Sequence, residues 1–256
     1  MAEHSHAGVP RPKPSGDPLR AANARQFDRA TYISGYQRGD VRHLVRIEAA
    51  VALLVRGIGA GEPGARRPRV LDIGNGGGIT TEALLDRGMD VVAGDIVTGG
   101  LRTADPRAHR LQFDASQPFP FADGSLDGIL AGDLIHMLFD PAAFLRECCR
   151  VLKPDGVLVV TTLNLASLQD RLRFLAGRAP FQIDPSHEVL RLHIRPFTFS
   201  ALEETLRRTG WRPVARKSNH LVFRWGARKV FVRWPAVLWP SLGNALIVAA
   251  TPDREM

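Results

Sequence analysis

The spacing of apolar positions changes character along the chain. Val41, Leu44, Val45, Ile47, Val51, Leu54 and Val55 recur at helical intervals within a stretch that runs from Ala22 to Ile58. Gly57, Gly59, Gly61, Pro63 and Gly64 then end the helix in a loop. After Pro68 short apolar runs predict strands over 70–73, 90–93, 110–113, 126–131 and 157–162, alternating with helices over 80–86 and 141–152. Strands and helices in alternation build βαβ units, so the chain reads as α/β, with a doubly wound parallel sheet covered by helices on both faces. Residues 163–198 break that rhythm with a basic, partly helical insert that holds a helix over 168–175 followed by Pro180, Pro185 and Pro196. A helix over 200–209 returns, opened by Thr198 or Ser200 and closed by Gly210, and two last strands are expected over 214–223 and 244–251.

Composition narrows the class. A chain of 256 residues that is 45% hydrophobic and 23% charged excludes pervasive disorder and a collagen-like fibre. Its longest apolar run, 49–55, is far below the roughly 18 residues a bilayer-crossing helix needs. Pro10, Pro12, Pro14 and Pro18 interrupt the place of a secretory signal, so a cytoplasmic protein is expected. Residues 1–21, rich in Pro, Gly, His and Ser, read as a disordered tail, which makes the spaced pair His4 and His6 a poor metal chelator. Cys148 and Cys149 are adjacent, which suits neither a disulfide framework nor a zinc site; they read as buried, reduced thiols on a helix, and no metal is expected.

The net charge of +8 is unevenly placed. Residues 1–160 carry 19 basic and 19 acidic side chains, whereas 161–256 carry 15 and 7, so the whole excess lies in the last third. Arginine supplies 30 of the 34 basic residues, a choice that favours phosphate, carboxylate and interfacial contacts.

Candidate chemistry begins directly after the first strand, in Asp72-Ile73-Gly74-Asn75-Gly76-Gly77-Gly78. Glycines at 74, 76 and 78 let the backbone turn tightly and approach a ligand, and the helix that follows offers free amide groups. The dinucleotide spacing would need glycine at Ile79 or at Thr81, so this is a G-x-G-x-G cradle of another kind. Asp95 ends the second strand, where a carboxylate can accept from a ribose diol, and Asp114 closes the third in Phe113-Asp114-Ala115. One such aspartate is commonly a solvated strand end; three in register with a glycine loop are not.

These motifs resemble the class I S-adenosylmethionine-dependent methyltransferases, over a span from about Phe27 to Val160 and weakly on to Thr251. Asp72 to Gly78 matches the first cofactor motif, Asp95 the ribose-binding acid and Asp114-Ala115 the adenine-contacting turn. The stretch from Leu126-Asp127 through Ala131 to Leu134-Ile135-His136 and Asp140-Pro141 resembles the fourth-strand element of the small-molecule branch, often called type 11; Arg150 to Gly156 matches the turn before the fifth strand. The resemblance implies a seven-stranded, mainly parallel, Rossmann-like sheet in a methyltransferase domain over 65–254, with a helical cover over 22–64, a substrate lid over 163–198 and a basic aromatic insert over 224–240. It implies S-adenosylmethionine as cofactor, held by Tyr32, Asp72, Gly74, Asn75, Gly76, Gly78, Asp95, Ile96, Asp114, Ala115 and Ala131. Asn75 departs from the Cys, Thr or Ser more usual there, and Tyr32 and Tyr36, one helical turn apart, also read as packing partners.

For a hydroxyl acceptor of high pKa a base is needed, and His193 and His136 are the candidates, with His187 a third. His193 ranks first because the lid insert carries it. Arg224 to Trp239 interleaves four basic residues with three tryptophans and a phenylalanine, a composition that suits the water–lipid interface, a hairpin packed on the sheet edge or a homodimer contact. The favoured activity is methyl transfer to a small or lipid-linked acceptor, as O-methylation of a glycan, quinone precursor or secondary metabolite, with peripheral membrane contact through 224–239. A catalytically silent cofactor-binding subunit and a nucleic-acid methyltransferase are the alternatives. Against the second, neither the Asn/Asp-Pro-Pro-aromatic run nor Pro-Cys follows the fourth strand, so nucleic acid is not the expected partner.

Overall fold

The computed structural model describes residues 41–59, 66–183, 193–225 and 228–253. The tail, most of the helical cover with Tyr32 and Tyr36, and His187 lie outside the described residues. The chain opens with α1 (Val41–Gly57), then β1 (Arg69–Ile73), α2 (Ile79–Leu85), β2 (Asp90–Asp95), α3 (Thr98–Thr103), β3 (His109–Gln112) and β4 (Leu126–Gly132). A 3₁₀ turn (Ile135–Met137) leads to α4 (Pro141–Val151) and β5 (Leu152–Leu163), and then to α5 (Leu168–Leu175) and α6 (Phe199–Arg208). The last elements are β6 (Trp211–Lys217), β7 (Leu221–Trp225), β8 (Arg228–Val232), α7 (Trp234–Leu238) and β9 (Ala245–Pro252).

Seven strands form one sheet in the order β3-β2-β1-β4-β5-β9-β6. β1 to β5 are mutually parallel, and β9 runs antiparallel to both β5 and β6. The expected mainly parallel, Rossmann-like sheet is present. Its strands are apolar on both faces because helices cover both, as in β5, buried without a break from Gly156 to Thr162. Alternation sorts the side chains. Leu71, Ile73, Ile129, Leu158, Val160, Leu246 and Val248 meet α4 and α6 through Phe144, Cys148, Leu202 and Leu206. Val70, Val91, Leu130, Val157, Val159 and Ile247 meet the apolar stripe of α1, Ile47, Ala50, Val51 and Leu54. Asp140 caps α4 by accepting from Ala143 N at 2.9 Å, with Pro141 behind it; Thr198, not Ser200, caps α6.

Three readings shift. The single strand expected over 214–223 divides into β6 of the main sheet and β7 of a separate two-stranded hairpin with β8. Ser218, Asn219 and His220 turn the chain between them, with Asn219 Oδ1 accepting from His220 N and Ala245 N. α3 was not foreseen, since Gly99 and Gly100 lower its helix propensity. Cys148 is buried as expected, its thiol pKa pushed up by burial, but Cys149 is only half-buried.

Candidate functional site

A cavity of about 220 Å³ opens at the carboxyl ends of β1, β2 and β4, where the strand order reverses. Gly74 and Asn75 donate their backbone N–H groups to Gly94 O at 2.9 and 3.2 Å, pinning the glycine loop to β2. Gly74, Gly76 and Gly78 have φ of 80°, 51° and 82°, the left-handed region in which a side chain would be strained. The loop also needs a glycine across from it: a Cβ at Gly100 would sit 2.1 Å from Gly76 O.

Asp95 stands at the cavity wall, Oδ2 accepting from Gly76 N and Oδ1 from Val97 N, each at 3.0 Å. Each carboxylate oxygen keeps a further lone pair for a ligand hydroxyl. Burial raises the Asp95 pKa, and the backbone donors oppose that rise. Asp114, whose Oδ1 accepts from the backbone and hydroxyl of Ser116, also lines the cavity, two residues beyond β3. Phe113, Ala115, Leu134, Met137 and Leu138 add an apolar wall. A glycine cradle, a diol acceptor and an apolar slot in that order fit an adenosine with a short polar extension, as in S-adenosylmethionine.

Asp72 lies beneath the loop, 1% exposed and away from the cavity lining. Burial pushes its pKa up to about 7. The geometry agrees. Thr81 Oγ1 lies 2.7 Å from both Asp72 Oδ2 and Asn75 Oδ1, yet a hydroxyl has one hydrogen to donate. Asn75 Nδ2 faces Gly100 O at 3.4 Å, which turns its carbonyl oxygen to Thr81. The chain is satisfied when protonated Asp72 donates to Thr81 and Thr81 donates to Asn75. Asn75 thereby ties the loop to α3.

The sequence reading passed over a second cluster. Arg46 of α1 is 6% exposed, with Nη1 3.0 Å from Asp133 Oδ1 and 2.7 Å from Thr161 Oγ1; all three residues line the cavity. Asp133 has φ 49°, rare for a residue with a side chain, and its N–H donates to Thr161 O at 3.0 Å. The signal was available: Arg46 precedes Ala50 and Leu54 by one and two helical turns, a charge set on a buried stripe.

Of the other expected residues, Gly74, Asn75, Gly76, Ile96 and Ala115 line the cavity, while Gly78 and Ala131 do not; Ala131 is packed in the core. His136 and His193 come together edge to face, ring centroids 4.1 Å apart, but neither lines the cavity. His136 is buried with Nδ1 2.8 Å from Thr162 Oγ1, and burial together with His193 lowers its pKa to about 3. That setting keeps its ring neutral and enclosed. His193 keeps partial exposure.

Residues 71–160 match the family described as methyltransferase domain. Over that span the chain is similar to the S-adenosylmethionine-dependent methyltransferases, and its fold is the Rossmann-like one that they share. It is similar to the ubiquinone biosynthesis O-methyltransferase of Caulobacter vibrioides, 35% identical over 102 residues that make up 37% of this chain and 40% of the relative. It is also similar to the demethylmenaquinone methyltransferase of Renibacterium salmoninarum, 38% identical over 114 residues, 44% of this chain and 46% of the relative. The chain thus spans less than half the length of these relatives. Among solved structures it shares its fold with 1,6-didemethyltoxoflavin-N1-methyltransferase of Burkholderia thailandensis, with bound 1,6-didemethyltoxoflavin and S-adenosylhomocysteine. The TM-score is 0.57 at 19% identity, over 96% of this chain and 94% of that one.

Proposed function

We propose that the protein transfers the methyl group of S-adenosylmethionine to a hydroxyl of a small or lipid-linked acceptor, with a quinone precursor as the acceptor class. The observation that carries the reading is Asp95, held at the cavity wall by two backbone donors and flanked by the glycine loop on one side and the apolar slot on the other. Both relatives named above methylate molecules of quinone pathways by their names, which supports the acceptor class.

The cofactor, when bound, supplies an electrophilic methyl group on a sulfonium. The chain's own residues hold and orient. With the cofactor bound, Asp95 would accept from the ribose hydroxyls, Asp114 and Ala115 would meet the adenine, and the loop 74–76 would approach the amino-acid portion; all of these line the cavity. The acceptor enters beside Arg46, Asp133 and Thr161, whose mutual bonding leaves a rigid polar wall. Alignment of the two reactants supplies much of such a displacement. His193 serves as the acceptor-side base. It adjoins His136 in the 3₁₀ turn whose Met137 lines the cavity.

The test is turnover of labelled S-adenosylmethionine with hydroxylated quinone precursors and a fractionated lipid extract. His193→Ala should lower kcat by about 10² while cofactor affinity stays near wild type. Cofactor binding without turnover of any fraction would make the protein a silent partner subunit, and an equal loss of cofactor affinity in His193→Ala would make that histidine structural.

A further inference from the structure

α5, the β7–β8 hairpin and α7 belong to two separate insertions, and the sheet brings them to one edge. β5 ends at Leu163 beside the start of β9 at Ala245, because the two strands are antiparallel. β6 is antiparallel to β9 as well, so its last residue, Lys217, faces that same edge. The segment 164–183 after β5 and the segment 218–244 between β6 and β9 therefore both hang from the carboxyl edge, where Thr161 lines the cavity. They adjoin one another: α5 packs against β7, and Arg171 of α5 donates to Ser241 O at 3.2 Å, in the turn that follows α7.

Among the described residues this joined surface gathers most of the exposed large apolar side chains. Phe174 and Leu175 are 72% and 82% exposed, and Trp234, Val237, Leu238 and Trp239 lie between 56% and 64%. Single exposed apolar residues are ordinary, but a cluster of the largest ones marks an interaction surface. In sequence, 166–183 and 218–244 carry Arg171, Arg173, Arg178, Arg224, Arg228, Lys229 and Arg233 against one acid, Asp170. Asp170 is 2% exposed and already accepts from Ser167 and Phe181 N, so it offers the surface no negative charge. Tryptophan and long apolar side chains among arginines match the headgroup boundary of an anionic bilayer, where rings sit at the interface and guanidinium groups meet phosphate. Among the described residues no helix is long and apolar enough to cross a membrane, so the contact is peripheral.

We infer that α5, the β7–β8 hairpin and α7 form one docking surface for anionic lipid bilayers, which sets the carboxyl edge of the sheet and its cavity toward the membrane. The inference deepens the proposed function by naming the source of a lipid-attached acceptor. It rests on that reading only for the acceptor, since vesicle binding is measured without turnover.

Co-sedimentation of the full chain with vesicles of phosphatidylcholine alone and of phosphatidylcholine with phosphatidylglycerol tests it. The expected result is retention by the anionic vesicles only, weakening as salt rises, since exposed charges are screened over about 8 Å at physiological ionic strength. Trp234→Ala with Trp239→Ala, and separately Phe174→Ser with Leu175→Ser, should each lower vesicle affinity by about tenfold or more at low salt, because both insertions contribute apolar anchoring. Cofactor binding unchanged in both variants would show that they fold. Wild type left in the supernatant at low salt, or both variants retained like wild type, would overturn the inference. So would sedimentation velocity showing a dimer that these substitutions dissociate, which would assign the surface to a second copy of the chain.

Discussion

The seven-stranded sheet with its covering helices and the insertions that hang from its carboxyl edge solve opposite problems with the same residue types. Trp211 is fully buried and donates its indole N–H to Leu145 O at 3.1 Å, whereas Trp234 and Trp239 are more than half exposed. Arginine divides the same way. Arg46 is enclosed and paired with Asp133, while Arg171 and Arg173 lie on an exposed helix and satisfy backbone carbonyls with part of their guanidinium groups. One region spends its apolar surface on its own core, and the other keeps it available. The contrast teaches that the composition of a segment does not say whether its aromatic residues face inward; the partners that its topology offers decide that.

That comparison breaks most readily by making one substitution in both regions. Trp211→Ala should cost about 3–5 kcal/mol, from the cavity and the lost indole bond to Leu145 O, in a denaturant titration. Trp234→Ala should stay within about 0.5 kcal/mol of wild type. A large loss of stability at Trp234 would mean that the insertion is packed as tightly as the sheet.

Next comes Asp95→Ala. Losing a carboxylate that accepts from two hydroxyls should cost about 1.5–3 kcal/mol of cofactor binding, roughly ten- to a hundredfold in Kd by calorimetry. Unchanged affinity would remove the residue from the site.

Gly100→Ala should lower stability by about 1–3 kcal/mol through its collision with Gly76 O, and weaken cofactor binding with it. The same change at Gly177, whose Cβ would meet nothing within 4 Å, should cost only the strain of its positive φ of 67°.

A last effect is a slope with pH, small over any single tenth of a unit. The Asp72 pKa is about 7 in the folded protein and that of an ordinary carboxyl when unfolded, so between roughly pH 4 and 7 the folded state binds more protons. Stability from this group is therefore complete below pH 4 and falls as pH rises through 7, by at most about 1.4 kcal/mol per unit. Asp72→Asn can still donate to Thr81 and should flatten that slope with cofactor affinity retained. An unchanged slope would place the titrating group elsewhere.

Much of the cavity was legible because its determinants are local. Glycine spacing, an aspartate at a strand end and apolar runs of strand length are all written in consecutive residues, and Gly74, Gly76, Asp95, Asp114 and Ala115 meet at the cavity as those motifs suggest. Arg46 and Thr161 are 115 positions apart, and their pairing is fixed only when α1 lies across β4 and β5, a placement no local pattern carries. The division of 214–223 into two strands escaped for a related reason. The buried Ser218-Asn219-His220 turn is held by Ala245, far along the chain.

The reversed strand β9 has a further consequence for how such a protein can diverge. Because it returns against its neighbours, the link from β6 to β9 opens on the rim rather than crossing a covered face, as the parallel links must. Extra chain can be threaded into that link at little entropic expense, about 0.6 kcal/mol for each doubling of length. The pairing of β1 to β5, and with it the glycine loop, need not change register when this happens. The reversal works as a splice point, where a lineage can exchange the surface that chooses the acceptor while inheriting the adenosine pocket unaltered.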